Sequence, residues 1–292
     1  MRFVKMHGIG NDYVVLDAIA EPALTTRAGD PALARALCDR RLGVGADGVI
    51  VLSTDRGADA RMTIINADGS DGGMCGNGAR CAAKFLVDRG HAVPDAEGCL
   101  MIRLGARVLR VAVELGAHGL VVGATVDMGA PIVDPARVPV DVGRLPPPAR
   151  AGEARQFTVD DRRAVFVSMG NPHAVLFIDE RVESVDIARE GARLERHGAF
   201  PDRMNVHFVN ADSRAEVRMR SWERGVGETM GCGTGACAAL VAGALCGRLG
   251  REVRVCMPGG ALEVAWDRSS GHVLLSGPAT EVFQGEWSGG NA

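Results

Sequence analysis

Two stretches of this 292-residue chain follow one pattern: Met74-Cys-Gly-Asn-Gly-Ala-Arg-Cys81 and Gly231-Cys-Gly-Thr-Gly-Ala-Cys-Ala238. Aligned on Cys75 and Cys232, they share the cysteine, two glycines and an alanine, and each opens an alanine-rich segment that predicts a helix. A motif repeated in this way indicates an internal duplication. We therefore predict two similar α+β halves, each with a cysteine at the N-terminus of a helix.

Short runs of β-favouring residues surround both motifs. They predict strands at residues 3–6, 13–16, 49–52 and 61–66, and further strands around residues 165, 175, 206 and 217. Asp30 and Pro31 predict the start of an additional helix, which Gly43 and Gly45 are expected to end. The proline-rich stretch 131–148 lacks helical or strand periodicity, so we expect a surface connection near the start of the second half.

The composition favours a protein that acts on small molecules. With 47% hydrophobic residues the chain can bury a full core, and a formal net charge of −3 leaves no basic excess for nucleic acid. No apolar run approaches the roughly 20 residues that span a bilayer. We therefore expect a soluble, cytoplasmic protein with neither a nucleic-acid nor a membrane partner.

Cysteine and lysine usage narrows the chemistry. The eight cysteines include no CxxC pair, so zinc-ribbon and thioredoxin-type sites are disfavoured, and most of the cysteines are expected to be core thiols. Pyridoxal phosphate enzymes need a lysine for their Schiff base. The two lysines, Lys5 in the first predicted strand and Lys84 on the helix after Cys75, are both poorly placed for that role.

A cysteine at a helix N-terminus is expected to be an acidic thiol. Backbone N–H groups and the positive end of the helix dipole lower thiol pKa values there to roughly 3.5 to 7.5, from about 8.5. The same N–H groups bind carboxylates. Two such helices facing one another across a cleft predict stereoinversion, in which a thiolate removes an α-proton on one face and a thiol returns a proton on the other.

Seven blocks, in sequence order, resemble the diaminopimelate epimerase family across nearly the whole chain. They are His7-Gly-Ile-Gly-Asn11-Asp12, Gly43-Val-Gly-Ala-Asp47-Gly48, Asn66-Ala-Asp-Gly, Met74 to Cys81, Gly170-Asn-Pro-His173, Arg203-Met-Asn205, and Trp222-Glu-Arg-Gly225 through Cys232-Gly-Thr-Gly-Ala. The resemblance implies two structurally similar domains, residues 1–122 with 278–292 and residues 123–277. Each is expected to be a strongly curved, mostly antiparallel sheet around a central helix, with the active site in the interdomain cleft.

The resemblance also implies an activity. The chain is expected to interconvert LL- and meso-2,6-diaminopimelate without a cofactor, in lysine and peptidoglycan precursor biosynthesis. Cys75 and Cys232 would be the catalytic acid–base pair, with no metal, and a homodimer is expected.

Further site residues follow from the same resemblance. His173 and Glu223 are implied to modulate the thiol pKa values. The implied substrate-binding residues are Gly76, Asn77, Gly233 and Thr234 at the reacting carboxylate, and Asn11, Asn66, Asn171, Asn205, Glu223 and Arg224, largely at the far end of the substrate. The Arg224 guanidinium and the asparagine amides can bind the second carboxylate of such a substrate, and the Glu223 carboxylate can bind its second ammonium.

The chain departs from some relatives at three positions. Gly48 replaces a glutamine that reaches the substrate, Ala46 replaces a larger aromatic residue, and Gly231 precedes Cys232 where alanine is usual. These changes leave the expected reaction class intact and leave open the fine shape of the pocket.

The same cysteines allow alternatives. A proline racemase or hydroxyproline epimerase also uses two cysteines at glycine-rich turns, but typically carries histidine where this chain has Asn77, and its single-carboxylate substrates need no Arg224. A thiol-based metal or redox module would join Cys75 and Cys232 through a metal or a disulfide. A reversible disulfide that inactivates the empty epimerase is a further hypothesis.

Overall fold

The computed structural model describes residues 1–146 and 155–289, which form two compact units. Unit 1 contains Met1–Asp127 and the C-terminal segment from Ser276, and unit 2 contains Met128–Leu275. The boundaries expected from the sequence lie after residues 122 and 277. In the structure the chain leaves unit 1 after residue 127, because a strand of unit 1 continues to Asp127.

Unit 1 begins with nine α-helices and β-strands, and a 3₁₀ helix, Pro22–Arg27, lies between the second and the third of them. In chain order these are β1 Arg2–Gly8, β2 Asn11–Asp17, α1 Pro31–Cys38, β3 Gly48–Ser53, β4 Ala60–Asn66, α2 Gly76–Asp88, β5 Cys99–Leu104, β6 Arg107–Leu115 and β7 Val121–Asp127. The four strands predicted in this half and the helix after Cys75 are confirmed.

The first helix, α1, starts where the sequence predicts. The Asp30 carboxylate accepts hydrogen bonds from two backbone amides of the first turn, and Pro31 is the first helical residue. The helix ends at Cys38, earlier than the stop predicted at Gly43. The reason is that the Asp39 carboxylate accepts hydrogen bonds from the Arg41 and Leu42 amides and turns the chain out of the helix.

Unit 2 contains the second motif. Its elements are β8 Phe157–Val159, β9 Arg162–Ser168, β10 Pro172–Phe177, α3 Ile187–Glu195, β11 Asn205–Ala211, β12 Glu216–Glu223, β13 Gly227–Thr229, α4 Gly233–Leu245, β14 Glu252–Met257 and β15 Gly260–Trp266. The strand β16 (Val273–Pro278) carries the chain back into unit 1, where β17 (Thr280–Glu286) pairs antiparallel with β1.

Three elements of unit 2, namely β8, α3 and β13, are absent from the sequence prediction. The helix α3 buries only two large apolar residues, Ile187 and Leu194, two turns apart, so no apolar run marks it in the sequence. The helix after Cys232 also ends at Leu245, earlier than expected, because Gly247 adopts a φ of 69° and closes the last turn.

Both units share one strand order. In unit 1, β1–β2, β3–β4 and β5–β6 pair antiparallel, whereas β2–β3 and β4–β5 pair parallel. In unit 2, β9–β10, β11–β12 and β14–β15 pair antiparallel, whereas β10–β11 and β12–β14 pair parallel. The helix after each cysteine lies between the fourth and fifth strands of its series. The predicted α+β class and internal duplication are therefore confirmed.

Each cysteine-bearing helix packs against several strands of its own unit. The helix α2 contacts β1, β6 and β7, and α4 contacts β9, β10 and β15. Eleven of the 13 residues of α4 are buried, and most of them are alanine or glycine, so the strands approach the helix closely. Across the described ranges, no helix is long and apolar enough to cross a bilayer.

The described part of the proline-rich stretch, residues 131–146, lies near the start of unit 2 and is largely exposed or half-buried, as the prediction of a surface connection requires, but three of its side chains enter the core. Val138, Val140 and Leu145 are buried together with Phe166 and Phe208. Val138 and Leu145 directly follow two 3₁₀ helices, at residues 135–137 and 142–144, which themselves bury no residue. A 3₁₀ turn has neither the helical nor the strand period, which is why the pattern is missed. Residues 147 and 148 lie outside the described residues.

Truncation of valines in this stretch tests its burial. Val138 is fully buried, whereas Val142 is 45% exposed. We expect Val138→Ala to lower the free energy of unfolding by about 2 kcal/mol, because it leaves a cavity in the core. The control Val142→Ala should change it by less than about 0.5 kcal/mol. Urea unfolding measures both, and equal effects would contradict the packing.

Candidate active site

Cys75 is the N-cap residue of α2. Its extended backbone leads the chain into the helix, and its Sγ accepts a hydrogen bond from the Gly78 amide at 3.3 Å. Gly78 is tightly enclosed, since an added Cβ would lie 2.9 Å from Ile64 Cδ1 and 3.5 Å from Cys75 Sγ. The sulfur thus occupies the place that a serine or aspartate oxygen usually takes, where the helix dipole favours negative charge.

Tyr13 connects Cys75 to two of the predicted asparagines. Its hydroxyl lies 2.9 Å from Cys75 Sγ and donates a hydrogen bond to Asn11 Oδ1. Asn77 Nδ2 donates to the same oxygen at 3.3 Å. The structure therefore brings Asn11, Asn77 and Cys75 together around one hydroxyl group.

Charged side chains hold these two asparagines in place. The fully buried Arg80 donates to Asn77 Oδ1 at 2.8 Å and to the Pro278 carbonyl at 3.2 Å. Asn11 Nδ2 donates to Asp47 Oδ2 at 2.9 Å. Both amide groups are oriented by these bonds, because an amide nitrogen can only donate and its oxygen can only accept.

Asp12 and Asp47 form an ion cluster with Lys5 and Arg40. Lys5 Nζ lies 2.6 Å from Asp12, and Arg40 bridges the two carboxylates at 2.8 Å. Burial opposes the ionisation of Asp12, but hydrogen bonds from Arg40 and Lys5 outweigh it and lower the Asp12 pKa to about 2. Lys84 pairs with a carboxylate of its own helix at 2.7 Å. Both lysines therefore take part in ion pairs.

Asn66 lies at the end of β4, opposite Gly48. Its Nδ2 donates to Ser70 Oγ at 2.9 Å and to the Asp71 carbonyl at 3.3 Å, so Oδ1 is the atom it can offer a substrate. A Cβ added at Gly48 would lie 2.7 Å from the Ile65 carbonyl oxygen. A side chain at position 48 would therefore require a shift of the neighbouring strand β4.

Cys232 is the N-cap residue of α4 and is 3% exposed. Burial raises the pKa of its thiol well above the usual value, and the Glu223 carboxylate raises it further. Hydrogen bonds from Thr234 and the Gly235 amide act in the opposite direction. The expectation of a lowered pKa is therefore wrong for Cys232, because desolvation outweighs the helix N-terminus.

All eight cysteines are present as thiols. The hypothesis of a disulfide between Cys75 and Cys232 stays a prediction. Among residues 1–146 and 155–289, no group of three or more His, Cys, Asp and Glu side chains is arranged to hold a metal ion.

A buried chain of hydrogen bonds runs from Asn171 to Ser221 through two histidines. His173 Nε2 lies 2.8 Å from Asn171 Oδ1, His173 Nδ1 lies 2.8 Å from His207 Nε2, and His207 Nδ1 lies 2.9 Å from Ser221 Oγ. An amide oxygen only accepts, so His173 carries its hydrogen on Nε2, and His207 and Ser221 each donate to the ring before them. Burial lowers the pKa of His173 well below its usual value and that of His207 to about 3.

This hydrogen-bonded chain continues toward Cys232. Asn171 Nδ2 donates to Thr234 Oγ1 at 3.4 Å, and Thr234 Oγ1 lies 3.6 Å from Cys232 Sγ. The structure therefore brings Asn171, Thr234 and Cys232 together, with His173 behind Asn171. The predicted influence of His173 on the thiol stays a prediction.

The remaining predicted residues of unit 2 lie at the start of β11 and the end of β12. Asn205 Nδ2 donates to a carbonyl of β10 at 2.8 Å, and Asn205 Oδ1 accepts from the Arg224 amide at 2.9 Å. Glu223 accepts a hydrogen bond from the Thr229 hydroxyl at 2.6 Å. The exposed Arg224 guanidinium donates to the Asp202 carbonyl at 2.9 Å, which leaves further N–H groups for a carboxylate.

The duplication places different residues at equivalent positions. Gly10-Asn11-Asp12-Tyr13, at the start of β2, corresponds to Gly170-Asn171-Pro172-His173, at the start of β10. The parallel register pairs Tyr13 with Gly48, and His173 with Asn205. Tyr13 is therefore the counterpart of His173, and Gly48 that of Asn205.

The sequence prediction omits Tyr13 and His207. Alternation along a strand supplies a signal for both, since residues two apart share a face. Tyr13 follows Asn11 at this spacing, and His207 follows Asn205. Their partners come from other elements, so the contacts themselves require the fold.

The family description for diaminopimelate epimerase matches residues 3–131 and 165–282 of this chain. The chain belongs to the diaminopimelate epimerase family. Diaminopimelate epimerases from Desulfovibrio desulfuricans and Moorella thermoacetica are 44% and 43% identical to it, over 98% of this chain and 98% and 99% of theirs. The resemblance to this family is confirmed.

Solved structures of more distant proteins share the fold. A hydroxyproline epimerase from Agrobacterium vitis has a TM-score of 0.70 at 18% identity, covering 98% of this chain and 91% of that one. A predicted epimerase from Pseudomonas aeruginosa has a TM-score of 0.67 at 17% identity, covering 99% of both chains. At these identities the likeness concerns the fold alone, and the diaminopimelate epimerase relatives carry the family assignment.

The contact between Gly235 and His207 can be tested by a double-mutant cycle. A Cβ added at Gly235 would lie 2.3 Å from His207 Cε1. We expect Gly235→Ala to destabilise the protein by about 1–3 kcal/mol through overpacking, although alanine is the better helix residue. In a His207→Ala background most of this loss should vanish. Urea unfolding of the four proteins measures the cycle, and equal losses in both backgrounds would exclude the ring as the obstacle.

Removal of the Glu223 charge should lower the pKa of Cys232. The carboxylate opposes thiolate formation, so Glu223→Gln is expected to increase the alkylation of Cys232 at a given pH. Mass spectrometry of Cys232 across a pH series measures the shift. The matched control, Glu228→Gln, alters a carboxylate of β13 that pairs with Arg220 and should leave the pKa unchanged. An unshifted Glu223→Gln variant would contradict the assignment.

Proposed function

We propose that this chain is an isomerase that interconverts LL- and meso-2,6-diaminopimelate by two-base proton transfer at the α-carbon. One observation carries the proposal. A cysteine stands at the N-cap of the corresponding helix in two units with the same strand order. Membership of the diaminopimelate epimerase family supports this substrate.

In the proposed reaction, Cys75 and Cys232 act on opposite faces of one α-carbon. A thiolate takes the α-proton and becomes a thiol, and the electron pair left on carbon delocalises into the carboxylate. The thiol of the other cysteine then donates its proton to the opposite face and becomes a thiolate. The reverse reaction uses the same groups with their roles exchanged, and no cofactor takes part.

The helix N-termini supply the stabilisation that this weak carbon acid needs. The first N–H groups of a helix lack a carbonyl partner within the helix and favour negative charge. We propose that Gly76, Asn77, Gly233 and Thr234 hold the reacting carboxylate with such groups. The hydrogen bonds strengthen as charge moves onto the carboxylate, which lowers the barrier.

The environment of Cys232 suits the proton donor. Its raised pKa, caused by burial and by Glu223, favours the thiol form at neutral pH. Glu223 thus acts on the thiol in addition to its proposed contact with the substrate. His173, held neutral by burial, would act through the position of Asn171.

The second amino-acid end of the substrate explains the remaining polar residues. Arg224 can bind its carboxylate, and the amide oxygen of Asn66 can accept from its ammonium. Asn11, Asn171 and Asn205 are proposed to complete these contacts. Proline has one carboxylate and no second ammonium, so a proline racemase would have no use for this set.

Deuterium exchange tests the reaction directly. The reduced protein is incubated with LL-diaminopimelate in deuterium oxide, and the α-proton signal and the meso isomer are followed together. Cys75→Ala and Cys232→Ala should each lower isomerisation by at least about 10²-fold, because each removes one acid–base group.

The matched controls are Cys81→Ala and Cys237→Ala, which truncate fully buried cysteines within the same two helices. Both should retain isomerisation. A wild-type protein that leaves diaminopimelate unchanged but exchanges the α-proton of proline would overturn the substrate assignment. Equal losses in control and active-site variants would argue against the cysteine pair. The expected homodimer and cytoplasmic location stay predictions.

A further inference from the structure

Tyr13 contacts the sulfur of Cys75 directly, although it lies outside the site residues implied by the family. Its hydroxyl is 2.9 Å from Cys75 Sγ, and its side chain is buried with 4% exposure. The same hydroxyl is bonded to Asn11 Oδ1. Tyr13 is also the one tyrosine of the chain.

The hydroxyl has one hydrogen and two acceptors within reach. Asn11 Nδ2 donates to Asp47, which turns Asn11 Oδ1 toward Tyr13 and Asn77. When Cys75 is a thiol, its S–H donates to the Tyr13 oxygen, and the hydroxyl donates to Asn11 Oδ1. A thiolate only accepts, so the hydroxyl then donates to the sulfur. Asn11 Oδ1 keeps the hydrogen bond from Asn77 in both states.

We propose that Tyr13 is a positioning residue that keeps a hydrogen bond to Cys75 in both protonation states by exchanging donor and acceptor roles at each proton transfer. This inference rests on the proposed function, in which Cys75 alternates between thiol and thiolate. A hydrogen bond to a charged acceptor is stronger than one between neutral groups, so the hydroxyl stabilises the thiolate more than the thiol. Phenylalanine would keep the ring but could neither donate nor accept.

The surroundings keep the Tyr13 hydroxyl protonated. Burial raises the pKa of Tyr13 well above its usual value, and the charge of Cys75 raises it further. Cys81 of α2 and Asp47 act in the same direction. Other charged groups on the packed elements are Lys5, Asp12, Arg40, Arg80 and Lys84. Tyr13 therefore remains an O–H donor over the range in which thiols titrate.

The counterpart in unit 2 shows what is particular to Tyr13. His173 occupies the equivalent strand position and holds Asn171 Oδ1, as Tyr13 holds Asn11 Oδ1. His173 is linked to the sulfur of Cys232 through two intervening side chains. Tyr13 touches the sulfur of its own unit, so its hydrogen responds to the charge of that sulfur directly.

Tyr13→Phe tests the role of the hydroxyl. The alkylation rate of Cys75 by iodoacetamide is measured across a pH series and read on the tryptic segment of residues 62–80, which contains no other cysteine. We expect the Cys75 pKa to rise by about one unit, a tenfold loss of thiolate at pH values below it. The control Thr125→Val removes another hydroxyl hydrogen bond of unit 1, at 2.7 Å to Ser276, and should cause no shift.

A second substitution guards against misfolding of the phenylalanine variant. Because Tyr13 is the one tyrosine, growth on fluorotyrosine labels this position alone. Fluorination makes the phenol a stronger donor with little change of shape, so the Cys75 pKa should fall. A loss of packing alone would not shift the pKa in opposite directions in the two proteins. An unchanged Cys75 pKa in both overturns the inference.

Substrate turnover separates this inference from the proposed function. In the direction in which Cys75 is the base, the acid limb of kcat/KM should move to higher pH in Tyr13→Phe, by the shift seen in alkylation. If the alkylation shift occurs but the wild type leaves diaminopimelate unchanged, the link between hydroxyl and thiol stands and the proposed function fails. If turnover proceeds by two bases and neither measurement shifts, the proposed function stands and the role of Tyr13 is overturned.

Discussion

The N-terminus of a buried helix presents amide groups that no carbonyl of the same helix can satisfy, and this constraint governs both units. The helices α2 and α4 are packed against strands, and their alanine and glycine residues let the strands come close. A cysteine at the N-cap places its sulfur beside these amides. An anionic ligand would be attracted to the same groups. The requirement for folding and the proposed requirement for chemistry are therefore met by the same backbone atoms.

The sequence is sufficient to predict the features that repeat or alternate. The paired motifs around Cys75 and Cys232 indicate the duplication, and the apolar runs indicate most strands. Features that depend on tertiary packing are missed. The 3₁₀ segment around Val138 has no period that a pattern could reveal, and α3 buries too few apolar residues to stand out.

The sequence indicates the kind of chemistry that the site supports, but it does not indicate the direction in which the pKa of Cys232 is shifted. The helix N-terminus suggests an acidic thiol at Cys232, whereas burial and Glu223 raise its pKa. Burial and the distance between the Glu223 carboxylate and the thiol depend on the folded structure, which the order of residues does not give. The hydroxyl of Tyr13 and the ring of His207 likewise meet their partners across different elements. Strand alternation shows which face they occupy and leaves their contacts unknown.

The two halves share a topology but differ at the positions nearest their cysteines. Tyr13 stands where the other half has His173, and Gly48 stands where it has Asn205. One sulfur therefore has a hydroxyl beside it that can both donate and accept, and the other lies in a buried setting near a carboxylate. The two halves have therefore become chemically unequal after duplication.

The contact between Gly235 and His207 bears on how this site is inherited. A Cβ at position 235 and the imidazole at position 207 would occupy one volume, so a lineage that gains alanine first passes through an overpacked protein. A lineage that first replaces His207 by a smaller residue has a void there, which the methyl group of an alanine at position 235 can then fill. The two positions should therefore covary among relatives, and the identity of residue 235 on the helix α4 depends on that of residue 207 on the strand β11.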